Sequence, residues 1–145
     1  MKFVWKGIFA PALALTIGLG MTLSTPVMAD PLVPDLKKGA KVFKKCKACH
    51  TLKEGEADKI GPNLYGMFSR GVAAKEGFNY SKAMRTKAPE IVQWNDETLD
   101  AYLKKPSKYV KGTAMSFAGL KKEKQRVNII AFLKQETAPA STEAE

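Results

Sequence analysis

The segment Cys46-Lys47-Ala48-Cys49-His50 holds both cysteines and the single histidine of this 145-residue chain. A disulfide between Cys46 and Cys49 would close too small a loop to stabilise a domain appreciably. A zinc site would need a fourth ligand, and the chain has no other cysteine or histidine to supply it. A redox-active thiol pair of the thioredoxin type would open a helix after a strand in a βαβ unit, and no such unit is visible.

The same spacing is the attachment signature for c-type haem. In this chemistry two thiols add across the two vinyl groups of one porphyrin, so their separation must match that of the vinyl groups. The adjacent histidine then ligates the iron through an imidazole nitrogen. We therefore predict one covalent haem c (heme c), attached through Cys46 and Cys49, with His50 as an axial ligand of the iron.

A methionine is expected on the opposite face of the iron. Three methionines follow residue 29, namely Met67, Met84 and Met115. Met115 lies in a loop far along the chain, in the run Gly112-Thr113-Ala114-Met115-Ser116-Phe117, and such a loop can wrap round to the distal face. Met84 falls in a predicted short helix and Met67 follows His50 closely, so both are interpreted as core residues. Met115 is therefore the predicted second metal ligand.

Residues 1–29 have the pattern of a signal peptide, with a basic start, an apolar stretch and a small residue at Ala29. The apolar stretch of about 17 residues is at the lower edge of what spans a bilayer, so cleavage after Ala29 is preferred to a retained anchor. We expect export to the periplasm. Residues 30–136 are expected to form one domain, followed by a disordered acidic tail at 137–145.

The charge of the chain is strongly basic. The formal net charge is +10, and removal of the two signal-peptide lysines leaves about +8. Two sets of lysines flank the attachment segment and the methionine loop, and both are expected to ring the exposed haem edge. We expect no stacking aromatic residues among them, so they suit an acidic protein better than a nucleic acid. The sets are Lys44, Lys45 and Lys47, and Lys104, Lys105, Lys108 and Lys111.

The pattern of apolar residues, caps and breakers predicts four helices and two long loops, with no convincing strand. A chain this short buries limited apolar surface by itself, and a large flat cofactor would supply the missing core. The helices are expected from Asp35 through Phe43, from Ser81 to before Pro89, from Asn95 or Asp96 to Pro106 and from about Lys121 to Gln135; the loops are expected at 51–79 and 107–119.

Taken together, these motifs resemble those of the class I c-type cytochromes, the family of mitochondrial cytochrome c and its soluble bacterial relatives. The similarity extends from Gly39 to Gln135. It implies an all-α, single-domain fold in which three main helices, short helices and long loops wrap one haem. Besides the attachment segment, the matching motifs are Gly61-Pro62-Asn63-Leu64, Asn79-Tyr80, Trp94, Tyr102, Gly112-Thr113-Ala114-Met115 and the closing helix through Phe132.

The resemblance also implies roles for residues around the haem. The carbonyl of Pro62 would accept the second ring N–H of His50, which fixes the tautomer of that ring. Tyr102 would lie near the sulfur of Met115. The residues expected to hydrogen-bond around the haem propionates are Arg70, Tyr80, Trp94 and Thr113. In the helix pair, Gly39 and Phe43 would pack against Ile129 and Phe132.

The implied function is that of a single-electron carrier without enzymatic activity, since both axial positions are filled and no acid–base pair is visible. The expected partners are acidic docking surfaces of membrane redox complexes in a respiratory or photosynthetic chain: a quinol:cytochrome c reductase, a terminal oxidase or a photosynthetic reaction centre. We expect a monomer that contacts a membrane, if at all, only through an uncleaved N-terminal segment. Two alternatives remain open, a dedicated electron-accepting cytochrome of one periplasmic dehydrogenase and a gas-binding or peroxidatic haem protein.

Overall fold

A computed structural model describes residues 32–139 and contains five α-helices in that range. The predicted all-α class is confirmed. The only β-type pairing among these residues is a single bridge between Gly71 and Gln93. None of the described helices is long and apolar enough to cross a membrane. The helices are α1 (Leu36–Phe43), α2 (Lys82–Ile91), α3 (Asp96–Lys104), α4 (Pro106–Tyr109) and α5 (Glu123–Glu136).

Helices α1 and α5 pack closely against each other. The side chain of Asp35 caps α1, and the backbone N–H of the same residue donates to Oδ1 of buried Asn128 in α5 at 2.9 Å. A Cβ atom on Gly39 would lie 2.3 Å from the carbonyl oxygen of Asn128, so no larger residue fits there. The rings of Phe43 and Phe132 meet beside this crossing with centroids 5.7 Å apart. Glycine at position 39 therefore allows the close approach of the two backbones.

Helix α3 is joined to α5 by a buried cation. Asn95 and Thr98 form a reciprocal capping box at the start of α3. Arg126 of α5 is 4% exposed, and its Nε donates to Oδ1 of Asp100 at 2.7 Å. Its Nη1 donates to the carbonyl of Leu120 at 2.8 Å. This arrangement places α3 and α5 around the shared core of Leu99, Tyr102, Leu103, Leu120, Ile129, Ile130 and Leu133.

Two helix boundaries differ from the prediction. Helix α2 continues past Pro89 to Ile91. Proline has no N–H to donate to the carbonyl of Arg85, and the helix ends two residues after it. Pro106 ends α3 as expected but also begins α4, in a segment predicted to be a loop. The fixed φ of proline suits the first position of a helix, which explains this new start.

The chain stays packed beyond α5. Thr137, which the sequence analysis assigned to the tail, is 1% exposed. Its hydroxyl donates to the carbonyl of Leu133 at 2.8 Å, and its own carbonyl accepts the N–H of Gly66 at 2.7 Å. The domain therefore includes Thr137. The predicted signal peptide at residues 1–29 and the end of the tail at 140–145 lie outside the described residues.

Candidate haem site

A cavity of about 360 Å³ lies in the core of the domain, with α3 and α5 among its walls. Much of its lining is apolar, including Leu64, Met67, Leu99, Leu103, Ile129 and Leu133. All ten residues that the sequence analysis selected line this one cavity, although they come from positions spread across 70 residues of chain. They are Cys46, Cys49, His50, Pro62, Arg70, Tyr80, Trp94, Tyr102, Thr113 and Met115.

The attachment segment is a series of turns that continues directly from α1. The N–H of Cys46 donates to the carbonyl of Phe43 at 2.7 Å, and the N–H groups of Cys49 and His50 both donate to the carbonyl of Cys46. Both thiols are half-buried and unbonded to each other. Burial raises the pKa of the Cys46 thiol, and the neighbouring Cys49 raises it further. A redox-active thiol pair would need the opposite shift.

The imidazole of His50 is held in one orientation. Its Nδ1 lies 2.8 Å from the carbonyl oxygen of Pro62, which is the contact that the resemblance implied. Nδ1 therefore carries the proton, and the lone pair of Nε2 is left free to bind a metal. Burial lowers the pKa of His50, which keeps the ring neutral although the bond to Pro62 opposes the shift. A Cβ atom on Gly61 would lie 2.5 Å from Cε1 of the ring. Only glycine allows the backbone to pass this close to the imidazole.

Met115 is held by a hydrogen bond to its sulfur. The phenol of Tyr102 donates to Sδ of Met115 at 3.1 Å. The hydroxyl of Thr113 accepts the N–H of Met115 at 3.2 Å. Burial raises the pKa of Tyr102, while a hydrogen bond with Thr113 lowers it, and the phenol stays a donor. Thr113 thus contacts both Tyr102 and the backbone of the methionine loop.

Arg70, Tyr80 and Trp94 contribute polar groups to the cavity wall. The guanidinium of Arg70 donates to two backbone carbonyls, at 2.8 Å to Asn63 and also to Tyr65. Burial raises the pKa of Tyr80, and the positive charge of the neighbouring Arg70 opposes this rise. Arg70 and Tyr80 therefore lie side by side at the cavity. The guanidinium is the group in this set that can neutralise a carboxylate.

These observations fit a covalently bound haem. The site offers two thiols with the required spacing, a neutral imidazole nitrogen, a thioether and apolar walls. The backbone at Gly61 is shaped around the imidazole, which indicates a site built for an oriented ligand. Nowhere in residues 32–139 do three or more His, Cys, Asp or Glu residues gather as a bare metal ion would require.

Comparison with known proteins agrees with this geometry. The family model for cytochrome c matches residues 36–137. The chain belongs to the cytochrome c family. It is 51% identical over 104 residues to cytochrome c of Stellaria longipes, which covers 71% of this chain and 94% of that protein. It is 50% identical over 104 residues to cytochrome c of Cochliobolus lunatus, with 71% and 94% covered. Cytochrome c of Ulva intestinalis is 50% identical over 111 residues, with 76% and 97% covered.

Family membership confirms the cofactor and the general function. The chain carries one haem c attached covalently through Cys46 and Cys49, and it acts as a haem-based electron carrier. The predicted periplasmic location is wrong by the same comparison. The relatives come from a plant, a fungus and an alga, which are eukaryotes without a periplasm. A basic, apolar N-terminal segment alone was not sufficient to assign the compartment.

The sequence analysis missed the role of Asn63, a buried polar residue of the first loop. Asn63 is 3% exposed, and its amide donates to the carbonyls of Lys53 and Glu56, each at 2.8 Å. Its Oδ1 accepts the N–H of Tyr65 at 2.6 Å. An asparagine directly after Gly-Pro in a glycine-rich segment is typical of a side chain that organises a turn, and this signal could have identified it.

Proposed function

We propose that this chain is a single-electron carrier with no enzymatic activity of its own, in which His50 and Met115 are the axial ligands of the iron. The supporting observation is that both side chains line one cavity and each is oriented by a hydrogen bond, from Nδ1 of His50 to Pro62 and from Tyr102 to the sulfur. When bound, haem supplies a reversible one-electron redox centre. Ligands held in this way keep similar positions in both oxidation states.

Arg70, Tyr80, Trp94 and Thr113 are proposed to bind the haem propionates. A carboxylate that is partly buried must be paired or hydrogen-bonded. Arg70 supplies a positive charge beside the phenol of Tyr80, and its own orientation is fixed by the carbonyls of Asn63 and Tyr65. These residues therefore provide the polar groups that the apolar walls lack.

The basic surface is proposed to dock acidic faces of membrane redox complexes, such as a quinol:cytochrome c reductase, a terminal oxidase or a photosynthetic reaction centre. Among the seven lysines selected from the sequence, Lys45 lines the cavity. Lys104, Lys105, Lys108 and Lys111 line two neighbouring grooves against α2. Both sets of lysines remain proposed to ring the exposed haem edge. Their charge remains available for steering a transient complex of a monomeric carrier.

Optical spectra of the purified holoprotein test the ligand assignment. We expect a c-type α-band in the reduced state, a long-wavelength methionine–iron band in the oxidised state and no carbon monoxide binding. Met115→Ala should lose that band and bind carbon monoxide. Met84→Leu is the matched control, since Met84 also lines the cavity, and it should retain the band. Carbon monoxide binding by the wild type would contradict the carrier assignment and favour a gas-binding or peroxidatic protein.

The ionic-strength dependence of electron transfer tests the docking surface. The rate with an acidic redox partner should fall steeply with added salt, because the Debye length shrinks to about 3 Å at 1 M. A partner of near-neutral surface charge is the control and should show a nearly flat dependence. A flat dependence with the acidic partner would count against docking through lysines.

A further inference from the structure

Arg70 and Trp94 come from different loops, yet both line the cavity. The residues next to them form the bridge between Gly71 and Gln93. A further backbone bond runs from the N–H of Val72 to the carbonyl of Val92 at 3.0 Å. The spacing between the guanidinium and the indole is therefore set by the register of this short pairing.

The pairing depends on an unusual turn at Val92. This residue has φ 63° and ψ −62°, and the N–H of Gln93 donates across it to the carbonyl of Ile91 at 2.7 Å. This is a γ-turn of the rare, strained kind. A β-branched residue at positive φ is a genuine outlier. The Val92 side chain is 67% exposed, so its own burial does not explain the conformation. Contacts made by neighbouring residues must hold the turn in place.

Gln93, the residue after this turn, makes a side-chain contact with a distant part of the chain. Its side chain is exposed, yet its amide Nε2 donates to the backbone carbonyl of Phe68, which lies 25 residues earlier in the chain. The backbone of Gln93 pairs with Gly71. Gln93 therefore contacts the chain on both sides of Arg70 in the sequence, at Phe68 before it and at Gly71 after it.

We propose that Gln93 is a positioning residue for the propionate-binding end of the haem site. The turn at Val92 orients Gln93 towards Phe68. The hydrogen bond from the Gln93 side-chain amide to Phe68 keeps the segment with Trp94 in register with the segment with Arg70. The inference rests on the proposed roles of Arg70 and Trp94 toward the haem. Loss of the amide loosens this end of the cavity and admits water. Greater solvent access favours the more highly charged, oxidised state.

The test is the midpoint potential of the holoprotein in Gln93→Ala and Gln93→Met, with Gln135→Ala as the matched control. Methionine keeps the length of glutamine without charge or amide donor, and Gln135 is an exposed glutamine of α5. Both Gln93 variants should lower the equilibrium constant for reduction by about threefold, which is about 28 mV at 59 mV per tenfold change. Gln135→Ala should leave it unchanged.

Two results would overturn the proposal. An unchanged potential in both Gln93 variants, with or without a lower urea midpoint, would limit Gln93 to a structural contact. A lower midpoint potential in Gln93→Ala together with a wild-type potential in Gln93→Met would show that the bulk of the side chain matters and its amide donor does not. The wild-type spectrum keeps these failures separate from failure of the proposed function. A wild type without a His/Met spectrum would refute the ligand assignment, whereas a normal spectrum with unchanged potentials refutes only the role of Gln93.

Discussion

The crossing of α1 and α5 makes Gly39→Ala a sharp test of the fold. The added Cβ atom would lie 2.3 Å from the carbonyl oxygen of Asn128 and 2.5 Å from Cβ of Phe132, whereas ordinary contact begins at 3.4 Å. The helices must therefore separate by about 1 Å at this point, a forced backbone shift of the kind that costs up to about 3 kcal/mol. Alanine also gains about 1 kcal/mol of helix propensity over glycine. The expected net loss of stability is about 2 kcal/mol.

Urea unfolding of the holoprotein, followed by circular dichroism, measures this loss. Gly71→Ala is the matched control, because its added Cβ atom would meet its nearest neighbours at 3.6 Å, which is ordinary contact. We expect the control to change the free energy of unfolding by less than about 0.5 kcal/mol.

The sign of the change in unfolding free energy in Gly39→Ala separates two explanations. Helix propensity alone predicts stabilisation, and only the close approach of the two backbones predicts destabilisation. A Gly39→Ala protein as stable as the wild type, or more stable, would refute the packing of α1 against α5 described above.

Three further substitutions probe the site and its loops. Tyr102→Phe removes the hydrogen bond to the sulfur of the proposed methionine ligand, which makes that sulfur a stronger electron donor. If this weak hydrogen bond contributes about 0.5 kcal/mol, the midpoint potential should fall by about 20 mV. A rise in the potential would contradict this role of Tyr102. Gly61→Ala places a methyl group 2.5 Å from the ring of His50, so spectra should show a smaller His/Met-ligated fraction, and a normal spectrum at normal yield would argue against the close approach. Asp58→Asn removes a carboxylate whose pKa is lowered chiefly by the backbone N–H of Asn63. A lowered pKa stabilises the folded state above the ordinary value of about 3.9, and this stabilisation is lost as the pH falls through the folded pKa. Urea midpoints should therefore show a less stable variant at pH 7 and a smaller difference from the wild type at pH 3.

Several features could be predicted from the sequence because the physical cause is local. Two cysteines with two residues between them and an adjacent histidine specify haem attachment through covalent geometry alone. Asp35 and Asn95 begin helices α1 and α3 by capping N–H groups three residues away. The resemblance to a known family then brought in residues far from the attachment segment, and the structure places all ten selected residues in one cavity.

Other features were not predicted from local patterns. Pro89 was interpreted as a stop, but α2 continues past it to Ile91, and the segment after Lys105 was predicted to be a loop but begins with α4. Thr137 was assigned to the tail, but it is buried, and its carbonyl accepts the N–H of Gly66, a residue distant in sequence.

The sequence by itself determined which cofactor the chain binds and how it is attached, since that chemistry is contained in five consecutive residues. Only the tertiary structure decided how the cofactor site is oriented. The backbone of Gly61 lies against the ring of His50, and Gln93 reaches back 25 residues to Phe68. Such contacts join segments whose separation along the chain carries no information about their distance in space, so they exist only once the core has packed.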